Sequence, residues 1–185
     1  PAIDGDKVYV LSSAGKLAAL RLADGQEVWQ RDLLTASGVT QAEFEKEVSW
    51  GRSGFPLVGD NLVVVPLGGS ADKGHKSIAA VDKQTGIMVW NSGTYQVSYS
   101  SPITMTLGGL RQIVYSDEQS VAGYRMSDGQ RLWTFPWTSH SNADASVSQP
   151  VFIDEESIFV SRGYVIGCAR IGVRRKDDMW QTNLM

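Results

Sequence analysis

The stretch AAVDKQTGIMVW, residues 79–90, places small and branched residues before a Thr-Gly turn and ends on a tryptophan. The same order occurs in AALRLADGQEVW, residues 18–29, and in AGYRMSDGQRLW, residues 122–133. In each of these copies a glycine stands four positions before the tryptophan. Self-similarity of this kind indicates a repeat architecture in which each copy is one structural unit.

A fourth, less regular copy begins at Gly167. The tryptophans of the four copies are Trp29, Trp90, Trp133 and Trp180. They are 61, 43 and 47 residues apart, which is the period of a four-stranded propeller blade with one long insertion in the first interval. A small residue recurs near each regular tryptophan, so we expect the four tryptophans to be structural, with the ring of one blade docking onto the next.

A proline-containing segment recurs in step with the tryptophans. It occupies residues 53–58, 100–105 and 148–153. Each copy is followed by an apolar run that predicts a strand; these runs lie at residues 61–67, 111–116 and 157–162. Each unit then contains a Pro-strand, an apolar strand, an Ala-rich strand and a Trp-strand, the last two joined by a two-residue Asp-Gly or Thr-Gly turn.

The sequence therefore predicts an all-β protein, a β-propeller of four-stranded antiparallel blades with about four blades present. The expected divisions are a partial first blade at 1–31, an insertion at 32–49, and further blades at 50–93, 94–137 and 138–185. The first blade is expected to lack its innermost strand, because residues 7–12, residues 17–22 and the Trp29 strand supply only three strands. The chain then looks like part of a ring of seven or eight blades. Its open flanks predict self-association or a missing remainder of the propeller.

The insertion contains one predicted helix. In TQAEFEKEV, residues 40–48, Thr40 is followed three positions later by Glu43, which is a capping-box pattern. A short exposed helix here either decorates the surface or shapes a ligand pocket or partner surface.

Residues 80–90, AVDKQTGIMVW, resemble the tryptophan-docking motif A-x-D-x-x-T-G-x-x-x-W of quinoprotein-like propellers. That superfamily holds the pyrroloquinoline quinone (PQQ) alcohol dehydrogenases and the outer-membrane assembly lipoprotein of the β-barrel insertion machinery. Other copies depart from the motif, with Arg21 and Arg125 where it has aspartate. Over nearly the whole chain the sequence is most similar to bacterial PQQ-binding-like repeat proteins. The resemblance implies the fold, whereas a propeller scaffold hosts unrelated activities.

Composition excludes several classes of protein. A net charge of −3, from 17 basic and 20 acidic residues, leaves no footprint for nucleic acid or an anionic membrane. No apolar run is long enough to span a bilayer. No leader precedes Pro1, so a signal peptide is expected to be removed or to lie upstream. Following the resemblance, the chain is expected to be periplasmic or extracellular, with any envelope anchor in residues that it lacks.

Several motifs suggest chemistry only superficially. GSADKGHKS, residues 69–77, approaches a phosphate-binding loop, but it lies between strands and has His75 in place of the lysine. His75 and His140 have no second ligand at zinc spacing. Cys168 is expected to be a buried, inert thiol. We therefore predict no catalytic residue and no metal site.

The candidate binding site lies in the segments that precede the Pro-strands. Because inner strands line the channel of a propeller, these segments should converge on its mouth, where a small ligand or peptide could bind. The residues predicted there are Trp50, Arg52, Tyr99, Ser100, Asn142 and Asp144. The alternative is that these loops are polar only because they face water.

Two function classes remain. The first is a binding or assembly module that presents loops and a central channel to a protein or small-molecule partner, without a cofactor. The alternative is a PQQ- and calcium-dependent dehydrogenase of alcohols or sugars. The resemblance implies that such enzymes stack the quinone on a tryptophan under a disulfide between adjacent cysteines. This chain has only Cys168, and only Asn142 and Asp144 as a calcium pair, which favours the binding module.

Overall fold

The chain folds into four antiparallel sheets, each a meander whose strands pair in chain order. The computed structural model describes residues 1–48, 50–138 and 145–185. The predicted propeller-blade fold is confirmed by these sheets, since each holds four strands.

The first sheet and the insertion take up the first quarter of the chain. The sheet contains β1 (Ala2–Asp4), β2 (Lys7–Leu11), β3 (Lys16–Arg21) and β4 (Glu27–Asp32). The insertion contains α1 (Leu33–Ala36) and α2 (Gln41–Glu47).

The other three sheets follow without a further helix-sized insertion in the described residues. The second contains β5 (Leu57–Gly59), β6 (Leu62–Gly68), β7 (Lys76–Asp82) and β8 (Met88–Ser92), with a 3-10 turn at Ala71–Lys73. The third contains β9 (Ile103–Leu107), β10 (Leu110–Ser116), β11 (Ser120–Tyr124) and β12 (Arg131–Pro136). The fourth contains β13 (Val151–Asp154), β14 (Ser157–Arg162), β15 (Gly167–Lys176) and β16 (Met179–Leu184).

The expectation of a three-stranded first blade is wrong. Strand β1 pairs antiparallel with β2, with Ala2 opposite Tyr9 and Asp4 opposite Lys7. It is only three residues long, and Pro1 directly precedes it as Pro56 precedes β5. The strand therefore follows the Pro-strand pattern, and the sequence prediction overlooked it because the run is so short. The first sheet is therefore complete in strand number.

The turns between the third and fourth strands are longer than the predicted two residues. In the second sheet the loop runs from residue 83 to 87, and Asp82 begins it by accepting hydrogen bonds from the Gln84 and Thr85 amides. Gly86 has φ +71°, the left-handed conformation that glycine adopts without steric cost. The two-residue turn occurs in the fourth sheet instead, at Asp177 and Asp178, where both residues have positive φ.

Apolar clusters lie between successive sheets. Tyr9 and Ala19 of the first sheet pack with Val63 and Val81 of the second. Similar clusters join the second sheet to the third and the third to the fourth. Burial of each sheet against its neighbour is the main source of stability in such an arrangement.

The insertion packs on the same end of the molecule as the segments that precede the Pro-strands. The capping box of α2 forms as predicted, because Thr40 and Glu43 exchange side-chain and backbone hydrogen bonds. The helix is not wholly exposed, since Phe44 is buried with Leu34 and Val97. No helix among the described residues has the length and apolar character needed to cross a membrane.

Candidate functional site

The segments before the Pro-strands run side by side. The Ser53 hydroxyl donates to the Tyr99 carbonyl at 3.2 Å, and the Ser100 hydroxyl donates in the same way to the Ser148 carbonyl at 3.2 Å. The Tyr99 amide also donates to the Ser146 carbonyl at 3.1 Å. Hydrogen bonds between these segments thus connect consecutive sheets at one end of the molecule. We call this end, formed by the segments before the Pro-strands, the mouth face.

Two aromatic side chains of the mouth face meet. The rings of Trp50 and Tyr99 have centroids 5.5 Å apart and are tilted by 51°, a favourable aromatic geometry. Trp50 remains 63% exposed. Burial raises the pKa of the Tyr99 hydroxyl, so this hydroxyl is a neutral donor and acceptor at physiological pH.

Arg52 does not face solvent as predicted, because only 3% of it is exposed. Its guanidinium donates through Nε to the Leu67 carbonyl at 3.1 Å and also through Nη2. It lies 4.0 Å from the centroid of the Phe44 ring. Burial lowers the pKa of Arg52 to about 10, so it is still charged at neutral pH. Arg52 anchors the Trp50 segment to the second sheet and to α2.

The other residues predicted for the mouth face add no accessible side chain in the part of the chain that the structure describes. Ser100 is fully buried in the contact to Ser148. Asn142 and Asp144 lie outside the described residues, as does His140. The predicted site is therefore represented in the described structure by the exposed Trp50 and the partly buried Tyr99.

A cavity of about 480 Å³ opens beside Trp50. Its walls come from the first sheet's second hairpin, from α2 and from the Trp50 segment; they include Ser13, Ala14, Gln41, Glu45, Val48 and Gly51. Gln41 donates to the Glu45 carboxylate at 2.7 Å. Sequence reasoning missed Gln41 and Glu45, although the placement of the insertion between blades was the signal that could have found them.

His75 holds the insertion in place and belongs to no phosphate-binding loop. Its Nε2 lies 2.6 Å from the Glu47 carboxylate at the end of α2. Gln96 donates to the same carboxylate at 2.9 Å. Cys168 is exposed rather than buried, because β15 presents it on the open side of the fourth sheet. In the described part of the chain, no three His, Cys, Asp or Glu side chains gather as metal ligands would.

The first two repeated tryptophans lie over glycines of the next sheet. A Cβ at Gly86 would be 2.6 Å from the Trp29 ring, and one at Gly129 would be 2.4 Å from the Trp90 ring. The Trp29 indole donates to the Lys83 carbonyl at 3.1 Å, and the Trp90 indole donates to the Met126 carbonyl at 3.1 Å.

Trp133 and Trp180 are placed differently. The Trp133 indole donates to the Gln112 side chain of its own sheet at 2.6 Å. Trp180 pairs with Arg175 in the β15–β16 hairpin and packs back toward Gly108 of the third sheet. The Met185 amide donates to the Arg170 carbonyl, and this register puts Met185, instead of Trp180, at the place equivalent to Trp90.

The described residues of the mouth face do not fit PQQ well. PQQ is a planar polycarboxylate, so a protein must offer it an aromatic face together with cationic or amide donors. Trp50 supplies an aromatic face. The Arg52 guanidinium, however, is turned toward the Leu67 carbonyl, so the predicted cation is not accessible.

A family model described as outer membrane protein assembly factor BamB matches residues 1–184. The chain belongs to this family. The match covers nearly the whole sequence, so all four sheets and the insertion lie within the matched residues. A PQQ-like β-propeller repeat is thus established for this chain.

Solved structures agree on the fold. BamB from Moraxella catarrhalis has a TM-score of 0.60 and 19% identity over 98% of this chain and 50% of that chain. The computationally designed Ika4 protein has a TM-score of 0.54 and 12% identity over 99% of this chain and 88% of that chain. This BamB-family chain thus spans half the length of the Moraxella catarrhalis protein. No curated protein matches it significantly in sequence.

Proposed function

We propose that this chain is a binding and assembly module of the cell envelope that presents its mouth face to a protein partner. The observation that carries the proposal is Trp50, which is 63% exposed on a segment held by the buried Arg52. Exposed aromatic side chains on a rigid base are the residues that most often dominate binding energy. The Tyr99 hydroxyl and the neighbouring cavity add polar contacts.

The family description supports a protein partner and an envelope location. It concerns the assembly of outer membrane proteins, which requires contact with other proteins outside the cytoplasm. We therefore propose a periplasmic or extracellular location. A small molecule such as a sugar is the second kind of ligand that the Trp50 face would suit, through stacking on the indole.

We propose that binding needs no cofactor. The dehydrogenase alternative would require PQQ and calcium, and the accessible residues of the mouth face do not fit the quinone. Titration calorimetry of the chain with PQQ and Ca²⁺ tests this directly. Micromolar or tighter binding of PQQ would favour the dehydrogenase over the binding module.

The main experiment measures binding to purified outer-membrane protein assembly components of the source organism. Trp50→Ala and Tyr99→Ala should each weaken binding about tenfold or more, as loss of an interface hot spot does. Ile87→Ala is the matched control, because Ile87 is also exposed, at 60%, but lies in the turn at the other end of the second sheet. Equal affinity of all variants would remove the mouth face as the binding site.

We also propose that the isolated chain self-associates through the flanks of its outer sheets. The fourth sheet exposes Val151, Phe159 and Met185, and the first sheet exposes Ile3 and Val28. The equivalent faces inside the molecule are covered by the next sheet. Sedimentation velocity should show a mass that rises with concentration, and a compact monomer at every concentration would contradict the proposal.

A further inference from the structure

A second cavity, of about 530 Å³, lies between the third and fourth sheets. It is lined by the turn between β11 and β12 and by the β15–β16 hairpin. These turns lie at the opposite end of the sheets from the mouth face. This hairpin is longer than the corresponding hairpins of the other sheets, and its turn consists of Asp177 and Asp178. The cavity is thus a product of the irregular fourth repeat.

Three arginines, Arg125, Arg131 and Arg175, line this cavity together with the Asp178 carboxylate, and the Asp128 carboxylate lies beside Arg125. The concentration of positive charge is local, since the whole chain has a net charge of −3. A low-dielectric wall beside several cations focuses the field and attracts anions.

The arginines are held by partners that a ligand could replace. Arg125 pairs with Asp128 at 2.8 Å and Arg175 pairs with Asp178, both three residues apart on exposed turns. Exposed pairs of this kind contribute little to stability. Arg131 donates to the neutral Thr94 hydroxyl at 3.3 Å, which leaves its other guanidinium donors for an anion.

Apart from Gln130, the rest of the cavity wall is apolar. Leu132 and Trp180 line it, and Met179 is 67% exposed at its rim. The guanidinium of Arg175 lies 6.0 Å from the centroid of the Trp180 ring. A ligand that combines carboxylates with an aliphatic or aromatic body would match both parts of the wall, whereas inorganic phosphate would match only the arginines.

We propose that this cavity, which we call the arginine cavity, binds organic carboxylates, presented either by acidic side chains of a peptide or by a free dicarboxylate. The planar fork of a guanidinium donates two parallel hydrogen bonds to a carboxylate. The site is distinct from the mouth face, so it takes a different part of a partner or a different ligand altogether.

The test uses the full chain and a labelled peptide of alternating Glu and Leu, with its Gln and Leu counterpart as the uncharged control. Fluorescence anisotropy at low salt should show binding of the acidic peptide only. Arg131→Gln should weaken it about tenfold, while Arg111→Gln should not. Arg111 is a matched control because it is also exposed and pairs with Asp60 at 3.4 Å, outside the cavity lining.

Asp178→Asn gives a test of opposite sign that keeps every arginine. It removes the carboxylate that competes for Arg175, so the acidic peptide should bind more tightly; unchanged or weaker binding would count against the arginine cavity. If Arg131→Gln disturbs the thermal melt, Arg125→Gln takes its place.

Competition separates the sources of the carboxylate. Displacement of the peptide by succinate or glutarate at comparable concentration would assign the cavity to free dicarboxylates, and displacement only by peptides would assign it to acidic side chains. Equal displacement by inorganic phosphate, or equal binding of the uncharged peptide, would overturn the carboxylate proposal. The mouth-face variant Trp50→Ala should leave all these affinities unchanged, so failure here and failure of the proposed function are distinguishable.

Discussion

The junctions between successive sheets use the same residue in two ways. At the first two junctions a tryptophan covers a glycine of the next sheet and donates to a main-chain carbonyl there, as Trp90 does to Met126. At the third junction Trp133 faces the fourth sheet but donates to Gln112 of its own sheet. The tryptophan is therefore present at all three junctions, whereas the group that accepts the hydrogen bond from its indole differs.

The cause of the difference lies in the receiving hairpin. The fourth sheet has a two-residue turn at Asp177 and Asp178 in place of the loops at residues 83–87 and 125–130 with their left-handed glycines, so it offers no equivalent carbonyl beside a glycine. A buried indole N–H still needs an acceptor, because leaving it unsatisfied costs about 1–3 kcal/mol. Gln112, which is fully buried, supplies it.

The largest effect should come from removing a docked ring. Trp90→Ala should lower the free energy of unfolding by about 3–5 kcal/mol, the usual result of deleting a large buried side chain. Trp137→Ala should cost less, because Trp137 lies outside the repeat and is only partly buried. Urea melts of both variants measure the difference, and equal, small losses would show that docking contributes nothing special.

A pair of glycine substitutions separates ring contact from backbone strain. Gly25 and Gly129 have φ of +73° and +71°, so alanine at either should cost about 1–2 kcal/mol for the left-handed conformation. A Cβ at Gly129 also meets the Trp90 ring, whereas one at Gly25 meets nothing within 4 Å. Gly129→Ala should therefore cost about 1–3 kcal/mol more, as overpacking does. Equal losses in urea melts would mean that Trp90 is not seated tightly.

The third junction can be tested through its acceptor. Gln112→Met keeps the volume but removes the oxygen that Trp133 donates to at 2.6 Å. The unsatisfied indole should cost about 1–3 kcal/mol. The double variant Gln112→Met with Trp133→Phe should recover part of that loss, because the orphan N–H is gone; a fully additive double variant would argue against the coupling.

The smallest expected effect is a pH-dependent loss of stability in the insertion, which is held by polar contacts, whereas the junctions between sheets are apolar. Hydrogen bonds from the Thr40 backbone and side chain, with help from Lys73, lower the pKa of Glu43 from 4.5 to about 2. A carboxyl with a lowered folded-state pKa contributes stability above its unfolded pKa, and that contribution fades as the pH falls from about 4.5 toward 2.

Glu43→Gln should therefore destabilise α2 at pH 6 and should matter progressively less between pH about 4.5 and 3. Amide hydrogen exchange of residues 41–47 measures this, with Glu45→Gln as the control on the same helix. A loss that is independent of pH would contradict the assignment. The tryptophan contacts at the junctions contain no titrating group in this range and should not respond.

Much of the fold follows from residues whose local chemistry has one structural solution. The turn glycines, the β-branched strands and the Thr40 capping box each restrict the backbone, and their period predicted the blades. The short β1 is preceded by Pro1 and followed by the left-handed Gly5, but its three residues are fewer than the about four to eight by which a strand is predicted from sequence. The two-residue turns were predicted in the wrong sheet, because Asp-Gly suits both a tight hairpin and a longer loop that an aspartate caps.

The candidate site was less predictable. Trp50 and Tyr99 lie together, as the position of their segments before the Pro-strands suggested. Whether a polar side chain in such a segment faces solvent depends on its tertiary neighbours, and Arg52 turns inward to Leu67 and Phe44. The arginine cavity had no sequence signal, because Arg131 and Arg175 belong to different repeats and meet only through the lengthened hairpin.

The loop at Gly25 is the place where a further blade would pack against the first sheet. This loop has the same left-handed glycine as the loops that receive Trp29 and Trp90, and Leu22 stands where Lys83 and Met126 supply their carbonyls. No ring covers it. The first three sheets each have a tryptophan on one side and a glycine loop on the other, so a blade grafted before the first sheet would need only a tryptophan in its last strand. At the opposite end Met185 occupies the tryptophan's place, and extension there would first require a new aromatic residue.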